Sequence, residues 1–443
     1  MCIKIARQYL TLFFCKTDSM NTEKLYAHYL KNPSVQTDSR KVQPGDIFFA
    51  IKGPNYNANS FAKDAVDAGA SLAVIDDVNY EGEKTLLVDD ALKQLQDLAL
   101  HHRKTFKIPF IAITGSNGKT TTRELVTAVL SGSYKTYSTE RNLNNHIGIP
   151  LTILNIKKDA EIAVIEMGAN HLGEIKSYCD YTLPTHGLIS NCGKAHLEGF
   201  GSLEGVRKGK GELFDFLREN KGIAFVMEEY EYLLEMSKGI SKIIYYGGKS
   251  DVTGSIIRNE PFLQAKIKTG TKEFTVNSNL VGGYNLPNIL AAVCVGKYFG
   301  VSADIIKSTL EAYQPTNSRS QLLKIKNNNQ VILDAYNANP SSMKTAIENF
   351  AGMEAENKIL LIGAMAELGP ESIQEHEKIV ELIGEYKWTE VVLVGGDFLK
   401  INHPYRQFEN SDQAADWLKA QNFENYFMLI KGSRSIAMEK VIQ

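Results

Sequence analysis

The segment from Phe110 to Leu130 constrains the fold of this chain more than any other part of the sequence. The apolar run Phe110–Thr114 predicts a buried strand, Gly115–Gly118 a loop, and Thr120–Leu130 an amphipathic helix. A strand that passes directly into a helix is the building unit of a parallel sheet covered by helices. The segment therefore predicts an α/β fold.

The loop in this segment predicts a phosphate-binding site. Backbone N–H groups of the loop and the helix N-terminus can bind phosphate oxygens, Lys119 can reach the β and γ phosphates, and the Thr120 hydroxyl can bind Mg²⁺. The general pattern G-x-x-x-x-G-K-[ST] is not fully met, because its first glycine falls on Ile113. Kinases, GTPases, ATPase motors and ligases are all compatible with such a loop. The candidate ATP-binding residues are Thr114, Gly115, Ser116, Asn117, Gly118, Lys119, Thr120 and Thr121.

Strand and helix signals along the 443 residues predict three α/β domains. The first is small, the second is a doubly wound, mostly parallel sheet with an antiparallel excursion over residues 251–281, and the third is Rossmann-like. A proline and small polar residues at Gln314–Arg319 predict a hinge. Residues 1–19 are predicted to be an upstream extension, because their apolar run is at the short limit for a signal peptide and no small-x-small cleavage site follows. The predicted domains are 20–106, 107–314 and 315–443.

The composition argues against several classes of function. The chain has 49 basic and 51 acidic residues, a formal net charge of −2, so no overall field favours nucleic acid or an anionic membrane. No apolar run approaches the roughly 18 residues that span a bilayer. The five cysteines show no C-x-x-C spacing, which favours a reducing compartment. We therefore expect a cytoplasmic protein that binds no nucleic acid and does not insert into membranes.

Polar residues that follow predicted strands are candidates for the chemistry. Glu166 ends a predicted strand, at the edge where parallel sheets bind ligands, and is placed to hold a metal ion on a nucleotide. His196 lies in a glycine-rich loop, where a lone histidine is more often structural. Lys208 and Lys210 lie at a predicted helix start, where a solvated basic turn is the simpler interpretation. Glu166 and Thr120 strengthen the functional interpretation of His196.

Five motifs, in their order and spacing, resemble the Mur ligases of peptidoglycan synthesis. They are Thr114–Thr121, Glu166-Met167-Gly168, Ala195-His196-Leu197-Glu198, Lys210-Gly211-Glu212 and Tyr284-Asn285-Leu286-Pro287-Asn288. The phosphate loop of that family also lacks the first glycine, which accounts for Ile113. The resemblance runs from about residue 35 to the C-terminus. Three segments resemble the branch that adds D-alanyl-D-alanine: Thr37–Arg40 with Gly45–Ala50, Asp334–Met343, and Lys431–Arg434.

The resemblance implies a peptide ligase that uses ATP and Mg²⁺, with catalytic roles for Lys119, Glu166, His196, Lys210 and Arg319. Thr120 and Glu166 would hold one Mg²⁺, and His196 and Lys210 a second, with Lys210 carbamylated on its amine. Arg319 would lie near a phosphate of ATP. The other implied contacts are Asn285, Asn288 and Asp334 to the nucleotide, and Ser39, Arg40, Asn142, Asn145, Asn337 and Asn339 to the other substrates.

The implied reaction joins D-alanyl-D-alanine to UDP-N-acetylmuramoyl-tripeptide through an acyl phosphate, with the N-terminal domain holding the UDP end. A monomer is expected. One alternative is another Mur-type amino-acid ligase or a folylpolyglutamate synthase, which the segment Asp334–Met343 disfavours. Another is a non-catalytic ATP-binding homologue, which has no physical need for the whole set of Lys119, Thr120, Glu166, His196 and Lys210.

Overall fold

The computed structural model describes residues 22–315 and 318–443. Helices and strands alternate along most of this range, and the predicted α/β fold is confirmed. The helices are α1 (22–29), α2 (Ala62–Asp67), α3 (Ala91–Lys104), α4 (Lys119–Ser131), α5 (Gly148–Leu154), α6 (Glu174–Thr182), α7 (Leu197–Phe200), α8 (Leu203–Glu219), α9 (Glu231–Ser237), α10 (Leu286–Tyr298), α11 (Ala303–Ala312), α12 (Pro340–Gly352), α13 (Ser372–Gly384) and α14 (Ser411–Ala420).

The strands are mostly short and apolar. Those of the larger sheets are largely buried, which explains why the sequence shows continuous apolar runs. The strands are β1 (Val35–Gln36), β2 (Ile47–Phe49), β3 (Lys52–Gly53), β4 (Tyr56–Asn57), β5 (Leu72–Ile75), β6 (Thr85–Leu87), β7 (Phe110–Thr114), β8 (Thr136–Ser138), β9 (Ile162–Glu166), β10 (His186–Ile189), β11 (Ile223–Met227), β12 (Lys242–Tyr246), β13 (Val252–Arg258), β14 (Gln264–Thr269), β15 (Lys272–Asn277), β16 (Gln321–Lys324), β17 (Gln330–Asp334), β18 (Lys358–Gly363), β19 (Glu390–Val394), β20 (Arg406–Phe408) and β21 (Phe427–Lys431).

Strands β7 to β12 form a six-stranded sheet in the order β12-β11-β10-β7-β9-β8. β8 pairs with β9, β10 with β11, and β11 with β12, all in parallel register. The strand order reverses around β7, which is the doubly wound arrangement that the sequence predicts. Ligands of such sheets bind beyond the carboxyl ends of the strands at this reversal, and the phosphate loop follows β7 there.

The described chain divides into two compact units. The first contains the residues up to Ile111 together with Lys135–Met167 and Lys176–Thr185. It includes a parallel sheet of order β1-β2-β5-β6 and the hairpin of β3 and β4. Phe48 and Ile75 lie in its buried core.

The second unit contains Ala112–Tyr134, Gly168–Ile175 and His186–Gln443. Its C-terminal sheet has the order β16-β17-β21-β18-β19-β20, in which only β16 runs antiparallel to its neighbour, and Leu361 lies in the core beneath it. Strands β13 to β15 form an antiparallel sheet, which confirms the predicted excursion.

One local prediction is wrong, because Lys210 lies in the middle of α8 and not at a helix start. Ser202 caps this helix through its Oγ atom, which accepts a hydrogen bond from the backbone of Gly205 at 3.1 Å. A Cβ atom at Gly209 would lie 2.4 Å from the ring of Phe200. The glycines that suggested a turn are therefore sites of close packing inside a helix.

Several predictions stay untested. The predicted extension at residues 1–19 lies outside the described residues. So do residues 316 and 317 of the predicted hinge. The boundaries of the three predicted domains also remain predictions.

Candidate functional site

The phosphate loop joins β7 to α4 and depends on two glycines. Gly115 has a φ of 142°, and a Cβ atom there would lie 2.1 Å from Oγ of Ser190. Gly118 has a φ of 75°, and a Cβ atom there would lie 2.6 Å from Oδ1 of Asn288. Both positions combine a backbone conformation that side chains disfavour with no room for a side chain. The loop can therefore approach a phosphate group closely with its backbone.

The segment that follows β10 holds the loop in shape. The backbone N–H groups of Ser116 and Asn117 donate to the carbonyl and side-chain oxygens of Asn191, at 2.8 and 3.0 Å. Oγ of Ser190 donates to the carbonyl of Asn117 at 2.6 Å, and Oγ of Ser116 donates to the carbonyl of Gly193 at 2.9 Å. Backbone groups and short side chains thus fix this loop.

Lys119 lies over the loop. Its Nζ atom donates to the carbonyls of Gly115 and Ser116 at 2.8 and 3.0 Å. Thr120, at the next position of α4, is buried. These are the positions from which a phosphate-loop lysine and hydroxyl reach a triphosphate and its metal ion.

Asn285 and Asn288, which are predicted to bind the nucleotide, lie beside α4, the helix that follows the phosphate loop. Oδ1 of Asn288 accepts a hydrogen bond from the hydroxyl of Thr122 at 3.0 Å, and Nδ2 of Asn288 donates to Oδ1 of Asn285 at 2.9 Å. Nδ2 of Asn285 donates to the carbonyl of Val281 at 2.9 Å. This chain of hydrogen bonds ties α10 to α4, so both asparagines support the loop.

Lys210 is fully buried and is surrounded by few groups that could stabilise a charge. Its Nζ atom donates to the carbonyl of Ala169 at 2.7 Å and lies 5.0 Å from the ring centroid of Phe200. Burial, with a smaller contribution from the charge of Lys119, lowers the pKa of Lys210 to about 7. A large fraction of this amine is therefore neutral at neutral pH, and a neutral amine is a nucleophile.

His196 precedes the short helix α7 with a φ of 52°. Its Nδ1 atom lies in ion-pairing contact with Oε2 of Glu367, which follows β18. The backbone N–H of Glu198 donates to the carbonyl of Glu367 at 3.2 Å. No pattern in the sequence pointed to Glu367, because the contact joins residues that are far apart in the chain.

Glu166 is the last residue of β9 and is buried. Its Oε1 atom accepts a hydrogen bond from Nδ2 of Asn144 at 2.8 Å, and its backbone N–H donates to the hydroxyl of Thr139 at 2.9 Å. Oδ1 of Asn145, a predicted substrate contact, accepts from the backbone of Gly148 at 2.8 Å and holds the start of α5. Asn144, which the sequence analysis missed, is thus the asparagine of this segment that contacts the acid.

Asn142 contributes its backbone to the same turn. Its carbonyl oxygen accepts a hydrogen bond from the backbone N–H of Asn144 at 2.8 Å. The turn therefore presents Asn144 to the acid, while Asn142 holds the turn in shape.

Two predicted residues of the C-terminal region are held by aromatic and ionic contacts. The guanidinium carbon of Arg319 lies 3.6 Å from the ring centroid of Tyr336. Oδ2 of Asp334, at the end of β17, lies 2.6 Å from Nζ of the buried Lys431, which also donates to the carbonyl of Asn337 at 3.2 Å. These contacts fix the side chains that were predicted to reach the nucleotide.

Other C-terminal side chains contact the phosphate loop and its supporting segment. Nδ2 of Asn339 donates to Oδ1 of Asn117 at 2.7 Å. Nζ of Lys194 lies 2.7 Å from Oε1 of the buried Glu375 on α13, and the backbone of Lys194 donates to Oγ of Ser341 at 3.0 Å. The structure therefore brings Asn339 to the loop, where the sequence suggested only a substrate contact.

Ser39 and Arg40 lie in a short 3-10 helix of the first unit. Nε and Nη2 of Arg40 donate to the two carboxylate oxygens of Asp38 at 2.8 and 2.9 Å, and the side chain of Arg40 is 86% exposed. An exposed guanidinium in this position is free to rearrange around an anionic ligand.

The residues that the resemblance assigns to metal binding are not part of a ready-made cluster of metal ligands. Within residues 22–315 and 318–443, no three His, Cys, Asp or Glu side chains cluster as a ready-made metal site. Thr120, Glu166 and His196 offer oxygen and nitrogen donors, and Lys210 fits only if its amine is converted to a carbamate.

No helix in the described part of the chain is long and apolar enough to cross a bilayer.

Two family models match the chain. One describes the Mur ligase middle domain and matches residues 113–296. The other describes the Mur ligase glutamate ligase domain and matches residues 318–434. The first match begins just before the phosphate loop, and the second contains Arg319, Asp334 and Asn339.

Individual relatives extend the similarity to nearly the whole chain. The UDP-N-acetylmuramoyl-tripeptide–D-alanyl-D-alanine ligase of Escherichia coli is 34% identical over 96% of this chain and 96% of its own length. The structure of MurF from Acinetobacter baumannii has a TM-score of 0.83 at 30% identity and covers 92% of both chains. MurF from Thermotoga maritima, in complex with ADP, has a TM-score of 0.82 at 28% identity and covers 92% of this chain and 96% of its own.

Proposed function

Because the chain belongs to the Mur ligase family, we infer that it uses ATP to join D-alanyl-D-alanine to UDP-N-acetylmuramoyl-tripeptide. The single observation that carries this inference is the similarity along almost the full length to ligases of that specificity. The phosphate loop supplies the ATP site that such a ligase needs. The product is a UDP-linked pentapeptide for peptidoglycan, and we propose that cell shape and division depend on it.

The reaction must first activate a carboxylate, which is a poor electrophile. The γ-phosphoryl group of ATP passes to the terminal carboxylate of the tripeptide and gives an acyl phosphate and ADP. The amine of D-alanyl-D-alanine then attacks the acyl carbon, and phosphate leaves. Lys119 would exchange its bonds to the loop carbonyls for the phosphates, and Arg319 would offset the charge of the transferring group. Water must be excluded, because an acyl phosphate hydrolyses readily.

We propose that Mg²⁺ binds at two positions in this site. Thr120 and Glu166 would hold one ion, and His196 and Lys210 the other. When bound, the ions offset the repulsion between the carboxylate and the triphosphate. Glu166 supports the first assignment, because its carboxylate is buried and Asn144 holds one of its oxygens in place by a hydrogen bond.

The environment of Lys210 supports carbamylation. A neutral amine attacks CO₂ through its nitrogen lone pair, forms an N–C bond and releases a proton, which leaves an anionic carbamate. The pKa of about 7 provides the neutral amine. The carbamate nitrogen keeps one N–H, which can continue to donate to the carbonyl of Ala169 and so orient the two new oxygens.

The contacts to the other substrates are proposals of the same kind. Ser39 and Arg40 are assigned to the UDP end, where an exposed guanidinium suits a diphosphate. Asn142, Asn145, Asn337 and Asn339 are assigned to substrate binding, and Asp334, Asn285 and Asn288 to the nucleotide.

We propose that the protein acts as a monomer in the cytoplasm. Cys192 and Cys294 are buried free thiols, which supports a reducing compartment. Neither family model nor any described contact requires a second copy.

Release of ADP by the purified protein tests the function. We expect release in the presence of UDP-N-acetylmuramoyl-tripeptide and D-alanyl-D-alanine together, and little when the dipeptide is omitted. Lys119→Ala serves as the control for contaminating ATPases. Release that does not depend on the dipeptide would overturn the assignment of D-alanyl-D-alanine as the amine substrate, and no release with any amine would point to a non-catalytic binding protein.

A further inference from the structure

His196 faces a carboxylate that no sequence motif singled out. Oε2 of Glu367 lies in ion-pairing contact with Nδ1 of His196. Nδ1 of His196 is buried from solvent and has no other polar partner among the residues that the structure describes. The carboxylate of Glu367 is therefore the polar group that this ring nitrogen meets.

The backbones around these two residues are also held together. The N–H group of Glu198 donates to the carbonyl of Glu367 at 3.2 Å. A Cβ atom at Gly369, which has a φ of 56°, would lie 3.2 Å from Cα of Glu198. His196 and Glu367 both have positive φ values, of 52° and 61°. Non-glycine residues keep such conformations only where the surrounding structure imposes them, often at functional sites.

The charge of Glu367 suits an acceptor for an imidazole N–H. A side-chain carboxylate is a common acceptor for the second ring N–H of a metal-binding histidine, and Glu367 supplies one here. Its side chain is still 48% exposed, so it is not needed to fill the core.

We propose that Glu367 is a positioning residue, which keeps the proton of His196 on Nδ1 and leaves the lone pair of Nε2 for a divalent cation. The proposal rests on the proposed role of His196 as a metal ligand. Histidines that bind metals commonly donate their other ring N–H to a carboxylate, which fixes the tautomer and the ring orientation. Since Glu367 follows β18, the histidine is oriented only while the C-terminal sheet lies against its loop.

Binding of Mn²⁺ in the presence of a non-hydrolysable ATP analogue tests the proposal without turnover. Electron paramagnetic resonance counts the free ion and gives the affinity. We expect Glu367→Gln to lower the affinity for one of the two ions by about tenfold or more. Glu367→Asp, which keeps the charge on a shorter side chain, should recover part of this loss. Glu371→Gln removes an equal charge four residues later and should bind Mn²⁺ like the unmodified protein.

A double-mutant cycle with His196→Gln separates this inference from the assignment on which it rests. If Glu367 acts through His196, Glu367→Gln should change nothing further once the histidine is gone. An additional loss in that background would mean that Glu367 binds the ion directly and would overturn the positioning role. Normal Mn²⁺ binding by Glu367→Gln, with weak binding by His196→Gln, would reject the inference alone. Normal binding by His196→Gln would reject the metal-ligand assignment itself.

Discussion

The phosphate loop and the C-terminal sheet contribute to the site in different ways. The loop is held by backbone groups and short side chains of the segment that follows β10, as in the two hydrogen bonds that Asn191 accepts from it. The C-terminal region reaches the central sheet largely through single side chains, such as Asn339, Glu367 and Glu375. The loop is thus part of the fold, whereas the C-terminal contacts can be removed one at a time. Substitutions in the phosphate loop should therefore lower activity strongly. Those of the C-terminal side chains should lower it by different amounts, one contact at a time.

Lys210→Ala should have the largest effect, because it removes the amine that is proposed to become a carbamate ligand of Mg²⁺. We expect turnover to fall by about a thousandfold or more. A small carboxylic acid should restore part of the activity, since it can occupy the space of the carbamate. Lys208→Ala, two residues earlier on α8, is the matched control. Full activity of Lys210→Ala with an unchanged melting temperature would remove the carbamate from the mechanism.

Arg319→Ala should cost less, by about a hundredfold in kcat, since it removes charge stabilisation but leaves the loop intact. The KM for the UDP-linked substrate should change little. Arg319→Lys keeps the charge but loses the planar stacking on Tyr336, and should recover only part of the rate. Arg434→Ala is the control, because the guanidinium carbon of Arg434 lies 5.8 Å from the centroid of the same ring. A rise in KM without a fall in kcat would place Arg319 in substrate binding.

The lowered pKa of Lys210 predicts that the rate of carbamate formation differs about tenfold between pH 6 and pH 8. With a pKa of about 7, roughly a tenth of the amine is neutral at pH 6 and roughly nine tenths at pH 8. Protein that has lost its carbamate in CO₂-free buffer should therefore recover activity on adding bicarbonate about ten times faster at pH 8, at equal dissolved CO₂. Equal recovery rates at the two pH values would show that formation of the neutral amine does not limit the reaction.

The same division decides what the sequence could predict. Alternating apolar runs and the glycine-containing loop act locally, so strands such as Phe110–Thr114 and the phosphate site followed from the sequence. Glu367 and Asn144 could not be found, because their contacts depend on how distant segments fold together. Lys210 was misplaced at a helix start because glycine usually interrupts helices, whereas here Gly209 allows Phe200 to pack closely against α8.

Loss of the hydrogen bond between Asn339 and Asn117 should have the smallest effect on activity. It tests whether the C-terminal region acts on the phosphate loop through this contact. Asn339 also caps α12, since its Oδ1 atom accepts from the backbone of Ser342 at 2.9 Å. Asn339→Ser keeps a capping oxygen but loses the donor to Asn117, so it should leave the melting temperature nearly unchanged.

Asn117→Ala removes the acceptor from the other side. We expect each single variant to lower kcat/KM for ATP by several-fold, and the pair to show a coupling of about 1 kcal/mol, the net value of one hydrogen bond. Additive effects would mean that the two side chains contribute separately. The C-terminal region would then support catalysis through Arg319 and Glu367, and its hydrogen bond to the loop would contribute nothing further.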